Sequence, residues 1–191
     1  MIRRFDLKTQ AVEVSKKLPE TIFGEGITPF GEDKIIQLSW KKGLGIVFDR
    51  ESINILETFR YKTEGWGITA KGDRLVMSDG SAKLFFLNPE SYEVLSELTV
   101  TKDGKEITRL NELEWVDQYI YANVWQTNEI VQIDPESGFV TASIDCSNLE
   151  KKRPQSSDAV LNGIAYDQSE KVFYLTGKTW KNMYKVKFSS N

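Results

Sequence analysis

Four short segments of this sequence carry a polar or aromatic residue at the same place among small and aliphatic neighbours. They are Gly24-Glu-Gly-Ile27, Gly65-Trp-Gly-Ile68, Leu110-Asn-Glu-Leu113 and Leu161-Asn-Gly-Ile164. Aligned, they put Glu25, Trp66, Asn111 and Asn162 in one column, and Gly26, Gly67, Glu112 and Gly163 in the next. Glu25 is the one carboxylate in its column. Between two glycines and before Ile27 it is expected to be partly desolvated, which raises a carboxyl pKa and suits a proton shuttle near neutral pH. A structural or ion-paired glutamate is the alternative. Trp40 closes the segment Gln37-Leu-Ser-Trp40, and Trp125 closes Ala122-Asn-Val-Trp125. With Trp66 they are candidate walls of a shallow aromatic pocket, able to hold a small amide or amine by stacking and exclusion of water; plain packing between sheets is the alternative. Trp115 and Trp180 are assigned to packing. Lys178, in Thr176-Gly-Lys-Thr179, is a candidate ligand for a carboxylate or carbonyl, and its surroundings lack the spacing of a phosphate-binding loop.

Other chemistry is excluded by composition. The 191 residues include no His, which removes Ser-His-Asp catalysis and His-based zinc sites. With no His to activate it, the single cysteine, Cys146, reads as a buried or half-buried thiol. A net charge of −3 argues against nucleic acid or an anionic membrane as the main partner. The chain has no apolar run long enough for a spanning helix, and no signal peptide is visible behind Met1-Ile-Arg-Arg-Phe-Asp6. An apolar content of 40% is that of a globular chain.

The elements that must position these residues follow from the repeat. The column recurs at intervals of roughly 40–50 residues built from short strands, the mark of a β-propeller. Glycine on either side of the column suits close approach of innermost strands around a channel. Each repeat continues with a second strand (Lys34–Trp40, Arg74–Ser78, Tyr119–Trp125, Val172–Gly177) and a third (Leu44–Phe48, Lys83–Leu87, Glu129–Ile133, Met183–Phe188). An Asp or Asn turn follows, as in Asp49-Arg-Glu-Ser52, Asn88-Pro-Glu-Ser91 and Asp134-Pro-Glu-Ser137. A more polar fourth strand comes next (Ile53–Arg60, Tyr92–Val100, Phe139–Asp145). Arg3–Asp6 and Ala11–Lys17 fit a third and a fourth strand, so residues 1–191 are expected to form one propeller domain with its N-terminal half-blade missing, a gapped ring inclined to associate. Glu150–Asp158 is expected to be an exposed loop between blades.

Phe23-Gly-Glu-Gly-Ile-Thr28, Leu38-Ser-Trp40, Gly65-Trp-Gly67, Leu110-Asn-Glu-Leu-Glu-Trp115, Tyr121-Ala-Asn-Val-Trp-Gln126, Leu161-Asn-Gly-Ile-Ala165 and Thr176-Gly-Lys178 together resemble the plant and bacterial glutaminyl-peptide cyclotransferases. The resemblance runs over nearly the whole chain. It implies a five-bladed propeller, an incomplete first blade here, and conversion of N-terminal glutamine of peptides or proteins to pyroglutamate with release of ammonia. It implies no cofactor and no metal, and suggests a secreted or periplasmic setting. Carried over by motif, it makes Glu25 the catalytic glutamate, Trp40, Trp66 and Trp125 the aromatic pocket, Asn111 a substrate-binding asparagine and Lys178 a pocket lysine. The family's first innermost strand carries a Phe-Thr-Gln-Gly-Leu motif that contributes to the same pocket and has no match here.

Two rival readings use the same residues. A calcium-dependent, lactonase-like hydrolase would make an oxygen cage of Glu25, Asn111, Asn162 and Asp79, although Trp66 in the same column is a poor ligand for a hard cation. A non-catalytic propeller would bind peptides or a protein partner.

Overall fold

The computed structural model describes residues 1–150 and 158–189. The regular elements among these residues are all strands. β1 (Ile2–Phe5) and β2 (Val12–Lys16) pair as an antiparallel ribbon. β3 (Gly24–Phe30), β4 (Lys34–Ser39), β5 (Leu44–Asp49) and β6 (Ile55–Arg60) form a meander in chain order. So do β7 (Ile68–Lys71), β8 (Arg74–Ser78), β9 (Lys83–Leu87) and β10 (Val94–Thr99). A small hairpin of β11 (Thr101–Lys102) and β12 (Lys105–Glu106) follows. Then come β13 (Leu110–Val116), β14 (Tyr119–Val124), β15 (Glu129–Ile133) and β16 (Val140–Asp145), and finally β17 (Leu161–Asp167), β18 (Val172–Gly177) and β19 (Tyr184–Val186). First strands of successive sheets lie together, β3 on β7, β7 on β13 and β13 on β17. This is a propeller-like arrangement. The expected five blades appear, among the described residues, as four sheets of three or four strands and the two-stranded β1–β2 ribbon. Residues 151–157 of the expected blade-to-blade loop lie outside the described residues. Its first residue corrects that expectation: Glu150 is 6% exposed, because Tyr184 Oη and Asn182 Nδ2 both donate to its Oε2, at 2.8 and 3.1 Å.

The core lies in layers between sheets. Ile36, Leu38 and Val47 of the β3–β6 sheet meet Ile68, Leu75 and Met77 of the next. Val76 and Leu84 meet Leu113 and Ile120. Ile130, Val116 and Cys146 meet Leu161, Phe173 and Leu175. Middle strands are therefore covered on both faces and read as apolar runs, such as Ile35-Ile-Gln-Leu38, rather than as alternations. Fourth strands face water on most positions, as in β6. Ile2 packs on Ile46, Phe48 and Ile53, which fixes the β1–β2 ribbon against the β3–β6 sheet. The Asp/Asn turns form as their chemistry requires. Asp49 Oδ1 accepts from Ser52 N and Oγ at 2.8 and 2.5 Å, and Asp6 Oδ1 from Thr9 N and Oγ1 at 2.6 and 3.0 Å.

One irregularity recurs in each of the four larger sheets. Pairing with the second strand slips by one residue between Gly24 and Ile27, between Leu110 and Leu113, and between Leu161 and Ile164. Ahead of β7 the same slip is seen in hydrogen bonds, since Trp66 N donates to Ser78 O at 3.0 Å while Ser78 N donates to Gly67 O at 2.9 Å. Each first strand thus carries a β-bulge at the column of Glu25, Trp66, Asn111 and Asn162. A bulge leaves a residue outside the ladder and re-aims side chains.

Candidate active site

Glu25, Trp40, Trp66, Asn111, Trp125 and Lys178 line one cavity of about 790 Å³. Glu25 and Asn111 therefore open to the same end of the channel. The bulged residues supply its floor, and the chain just past β4, β14 and β18 supplies Trp40, Trp125 and Lys178 as its wall. Backbone contact between first strands brings the column together. Gly26 N donates to Trp66 O at 2.9 Å, and a Cβ on Gly26 would stand 2.6 Å from Gly67 Cα. A Cβ on Gly67 would stand 2.1 Å from Asn111 O. Only glycine permits either approach. Ser78 Oγ accepts from Gly67 N at 2.9 Å and donates to Asn111 O at 2.7 Å, tying one sheet to the next at the level of the site. Asn123 Oδ1 does the same one sheet on, accepting from Gly163 N at 3.0 Å.

The polar groups of the cavity form two sets. Lys178 Nζ donates to Glu25 Oε1 at 3.1 Å. The glutamate side chain is 9% exposed and the lysine 36%. Burial pushes the Glu25 carboxyl above its ordinary range, and the charge and hydrogen bond of Lys178 pull against that. Asn111 and Asn162 are buried, and the Oδ1 of each has no hydrogen-bond partner among the described residues. A buried acceptor left so costs about 1–3 kcal/mol, which a bound donor would offset.

The aromatic residues stand as edge-to-face pairs. Phe23 meets Trp40 at 6.0 Å between ring centroids, and Trp66 meets Trp125 at 5.4 Å. Outside the cavity Trp115 packs beside the core between the second and third sheets, and Trp180 beside the core between the third and fourth, as their assignment to packing requires.

Two acidic residues at the site were not singled out from the sequence. Glu112 lines the cavity next to Asn111, because the bulge turns both residues of the pair inward. Its carboxyl is pushed up to about 8, by burial first, then by the negative charge of Glu25 and, more weakly, of Glu114, with Lys178 opposing. At neutral pH it therefore holds its proton. The signal was present: Glu112 stands where the other three repeats have glycine. The second residue is Glu64, whose Oε2 accepts from the indole N–H of Trp40 at 2.8 Å and of Trp66 at 2.9 Å. Further along β13, burial pushes Glu114 up to about 7, against the hydrogen bond it accepts from Tyr166 N at 3.0 Å.

Of the expected calcium cage, Glu25, Asn111 and Asn162 line the cavity. Asp79 does not line the cavity; its Oδ1 accepts from Ser81 N and Oγ at 3.0 and 2.5 Å in a tight turn. The Lys178 ammonium stands beside Glu25, where a cation ligand set would need another oxygen.

A profile described as glutamine cyclotransferase matches residues 1–188. This chain belongs to the glutamine cyclotransferase family. A glutaminyl-peptide cyclotransferase of Arabidopsis thaliana is 34% identical over an alignment of 190 residues, which covers 97% of this chain and 59% of that protein. The chain thus spans somewhat under two thirds of that relative's length. Among solved structures, the glutaminyl cyclase of Myxococcus xanthus is 32% identical with a TM-score of 0.91, covering 97% of this cyclotransferase-family chain and 80% of its own. Virginiamycin B lyase from Staphylococcus aureus, 13% identical with a TM-score of 0.55, covers 92% of this chain and 55% of its own, a likeness of fold alone.

Proposed function

We propose that this protein cyclises N-terminal glutamine of peptides to pyroglutamate with release of ammonia. The observation that carries the reading is the convergence of Glu25, Lys178, Asn111 and three tryptophans on one cavity. The reaction is intramolecular. The substrate's α-amine attacks its own γ-carboxamide carbon, so the main task of the protein is to fold the side chain back and hold it there. Aromatic walls do this without a nucleophile of their own. The attacking amine must be neutral, and its unperturbed pKa of ~7.7–8.0 makes that form accessible. As the new C–N bond forms, Glu25 takes a proton from the attacking nitrogen. As the old C–N bond breaks, Glu25 returns that proton to the leaving ammonia. Glu25 suits the shuttle because burial raises its pKa while the charge and hydrogen bond of Lys178 favour the ionised form. Lys178 and Asn111 supply donors for the carbonyl oxygens of the substrate.

The finer family features belong to the same proposal. A five-bladed propeller is supported by the β1–β2 ribbon, which turns at Asp6 and Thr9 as β5 and β6 turn at Asp49 and Ser52. Peptides and proteins with N-terminal glutamine are the proposed partners. The deciding experiment incubates the purified protein with a glutaminyl peptide and follows ammonia release together with loss of one ammonia in mass. Turnover abolished by a chelator and restored by calcium would instead establish the metal-dependent hydrolase. Binding of the peptide without turnover would establish the binding module.

A further inference from the structure

Glu64 lies in the connection between β6 and β7 and is absent from the cavity lining. Yet one oxygen of its carboxylate receives both Trp40 Nε1–H and Trp66 Nε1–H, at 2.8 and 2.9 Å. The two indoles come from neighbouring sheets, Trp40 just past β4 and Trp66 just ahead of β7. Each holds a further ring edge-on, Phe23 on Trp40 and Trp125 on Trp66. Four aromatic side chains of the cavity are thus linked through a single carboxylate. Trp40 is 37% exposed, so packing alone does not fix its ring.

The segment that carries Glu64 is itself anchored. Gly65 N donates to Trp40 O at 2.9 Å, and Tyr61 Oη donates to Ser39 O at 2.5 Å and accepts from Ser39 N at 3.0 Å. The anchor therefore sits on the same strand end as one of the indoles it holds.

We propose that Glu64 is a positioning residue for substrate recognition, clamping Trp40 and Trp66 so that the cavity presents fixed ring faces and edges to the glutaminyl side chain. This rests on the cyclotransferase reading for its kinetic consequence, but not for its structural one. With both indole N–H groups engaged by Glu64, neither is available to the substrate carboxamide. Polar recognition then falls to Asn111, Asn162 and Lys178. Glu64 performs no proton transfer, so its loss acts on binding and not on the chemical step.

The test compares Glu64→Ala, Glu64→Leu and Glu64→Gln in the intact protein. Hydrogen bonds to a charged group are among the stronger ones, so Ala and Leu are expected to raise KM about tenfold with kcat changed less than about threefold. The pH profile of kcat stays where it is. Gln keeps a carbonyl oxygen for both indoles and recovers most of the KM loss. Adding Glu64→Ala to Trp40→Phe/Trp66→Phe, which already lacks both donors, has less than about twofold further effect, as a double-mutant cycle requires of a shared interaction. Near-ultraviolet circular dichroism and acrylamide quenching of tryptophan report the clamp without substrate: Ala and Leu loosen the indoles, Gln restores them. The proposal is overturned if Gln behaves as badly as Ala. It is overturned equally if kcat and its pH profile move, or if neither KM nor the tryptophan signals change. A wild-type protein that turns over no glutaminyl peptide would sink the cyclotransferase reading, while the spectroscopic comparison of Ala with Gln still decides the clamp.

Discussion

Glu25 and Lys178 stand 3.1 Å apart although 153 positions separate them in the chain. The carboxylate rides on the bulge of β3, and the ammonium follows the end of β18. Burial of Glu25 and the charge of Lys178 push its titration in opposite directions. Lys178→Met removes the opposing influence, so the Glu25 carboxyl should rise further. Since the shuttle starts from the ionised form, the acidic limb of the kcat/KM profile should move to higher pH, with activity at pH 6 falling more than at pH 8. A profile that drops uniformly, with no displacement of its acidic limb, counts against this coupling.

Glu25→Gln keeps the volume and hydrogen-bonding reach of the side chain but cannot carry a proton. Positioned acid–base groups contribute ~10²–10⁴-fold, so kcat should fall by that range with KM little changed. Steady-state kinetics on one glutaminyl peptide is sufficient. More than about a tenth of kcat surviving lies outside that range and would remove Glu25 from the shuttle.

Trp125→Ala should act on the other parameter. It deletes the ring against which Trp66 is set edge-on at 5.4 Å. Loss of an aromatic pair and its area is expected to raise KM by about tenfold, with a smaller effect on kcat. An unchanged KM would place the substrate elsewhere in the cavity.

Glu112 makes a prediction about stability rather than rate. Its carboxyl titrates near 8 in the fold against an ordinary 4.5. Between those values the folded state keeps a proton that the unfolded chain releases, so this contribution is whole below about 4.5 and is lost as pH rises through about 8. Thermal or urea melts at pH 5, 7 and 9 should show stability declining across that window, by an amount on the order of a few kcal/mol. Glu112→Gln, neutral throughout, should flatten the decline. Glu114, near 7, leaves a residual slope. An identical slope in wild type and variant would show that Glu112 is ionised in the fold at neutral pH.

Gly67→Ala tests the close approach of first strands. The added methyl would fall 2.1 Å from Asn111 O and 2.9 Å from Glu112 Cα, both backbone atoms. Overpacking against backbone that cannot yield should destabilise by about 3 kcal/mol. Activity should fall in the surviving fold, because Asn111 and Glu112 are the residues displaced. A melt within a degree of wild type would mean that the strands part readily.

Strand spans were legible because covered middle strands leave apolar runs and Asp/Asn turns punctuate them. β8, β9, β15 and β18 begin and end where the sequence places them. The site column was legible because the bulge falls at the same place in each of the four larger sheets. Glu112 was hidden by that same bulge: strict strand alternation sends consecutive residues to opposite faces, and here both turn inward. Glu64 was hidden because a hydrogen bond across a connection has no period to betray it. The β11–β12 hairpin was not read from the sequence, since two-residue strands bury little. Its turn, Asp103-Gly104 with φ of 51° and 75°, is nonetheless a recognised hairpin signal.

The recurring bulge has a consequence for how such a protein can change. Residues 25, 66, 111 and 162 sit at the slip in pairing, where the ladder between first and second strands is already interrupted. A carboxylate, an indole and two amides occupy equivalent places in one molecule, and beyond the slip each first strand still pairs antiparallel with its second. Residue identity at the mouth of the channel is in this way largely uncoupled from the bonds that hold the sheets. Selection, or an engineer, can therefore rewrite the chemistry of the cavity one sheet at a time while the scaffold stays in register.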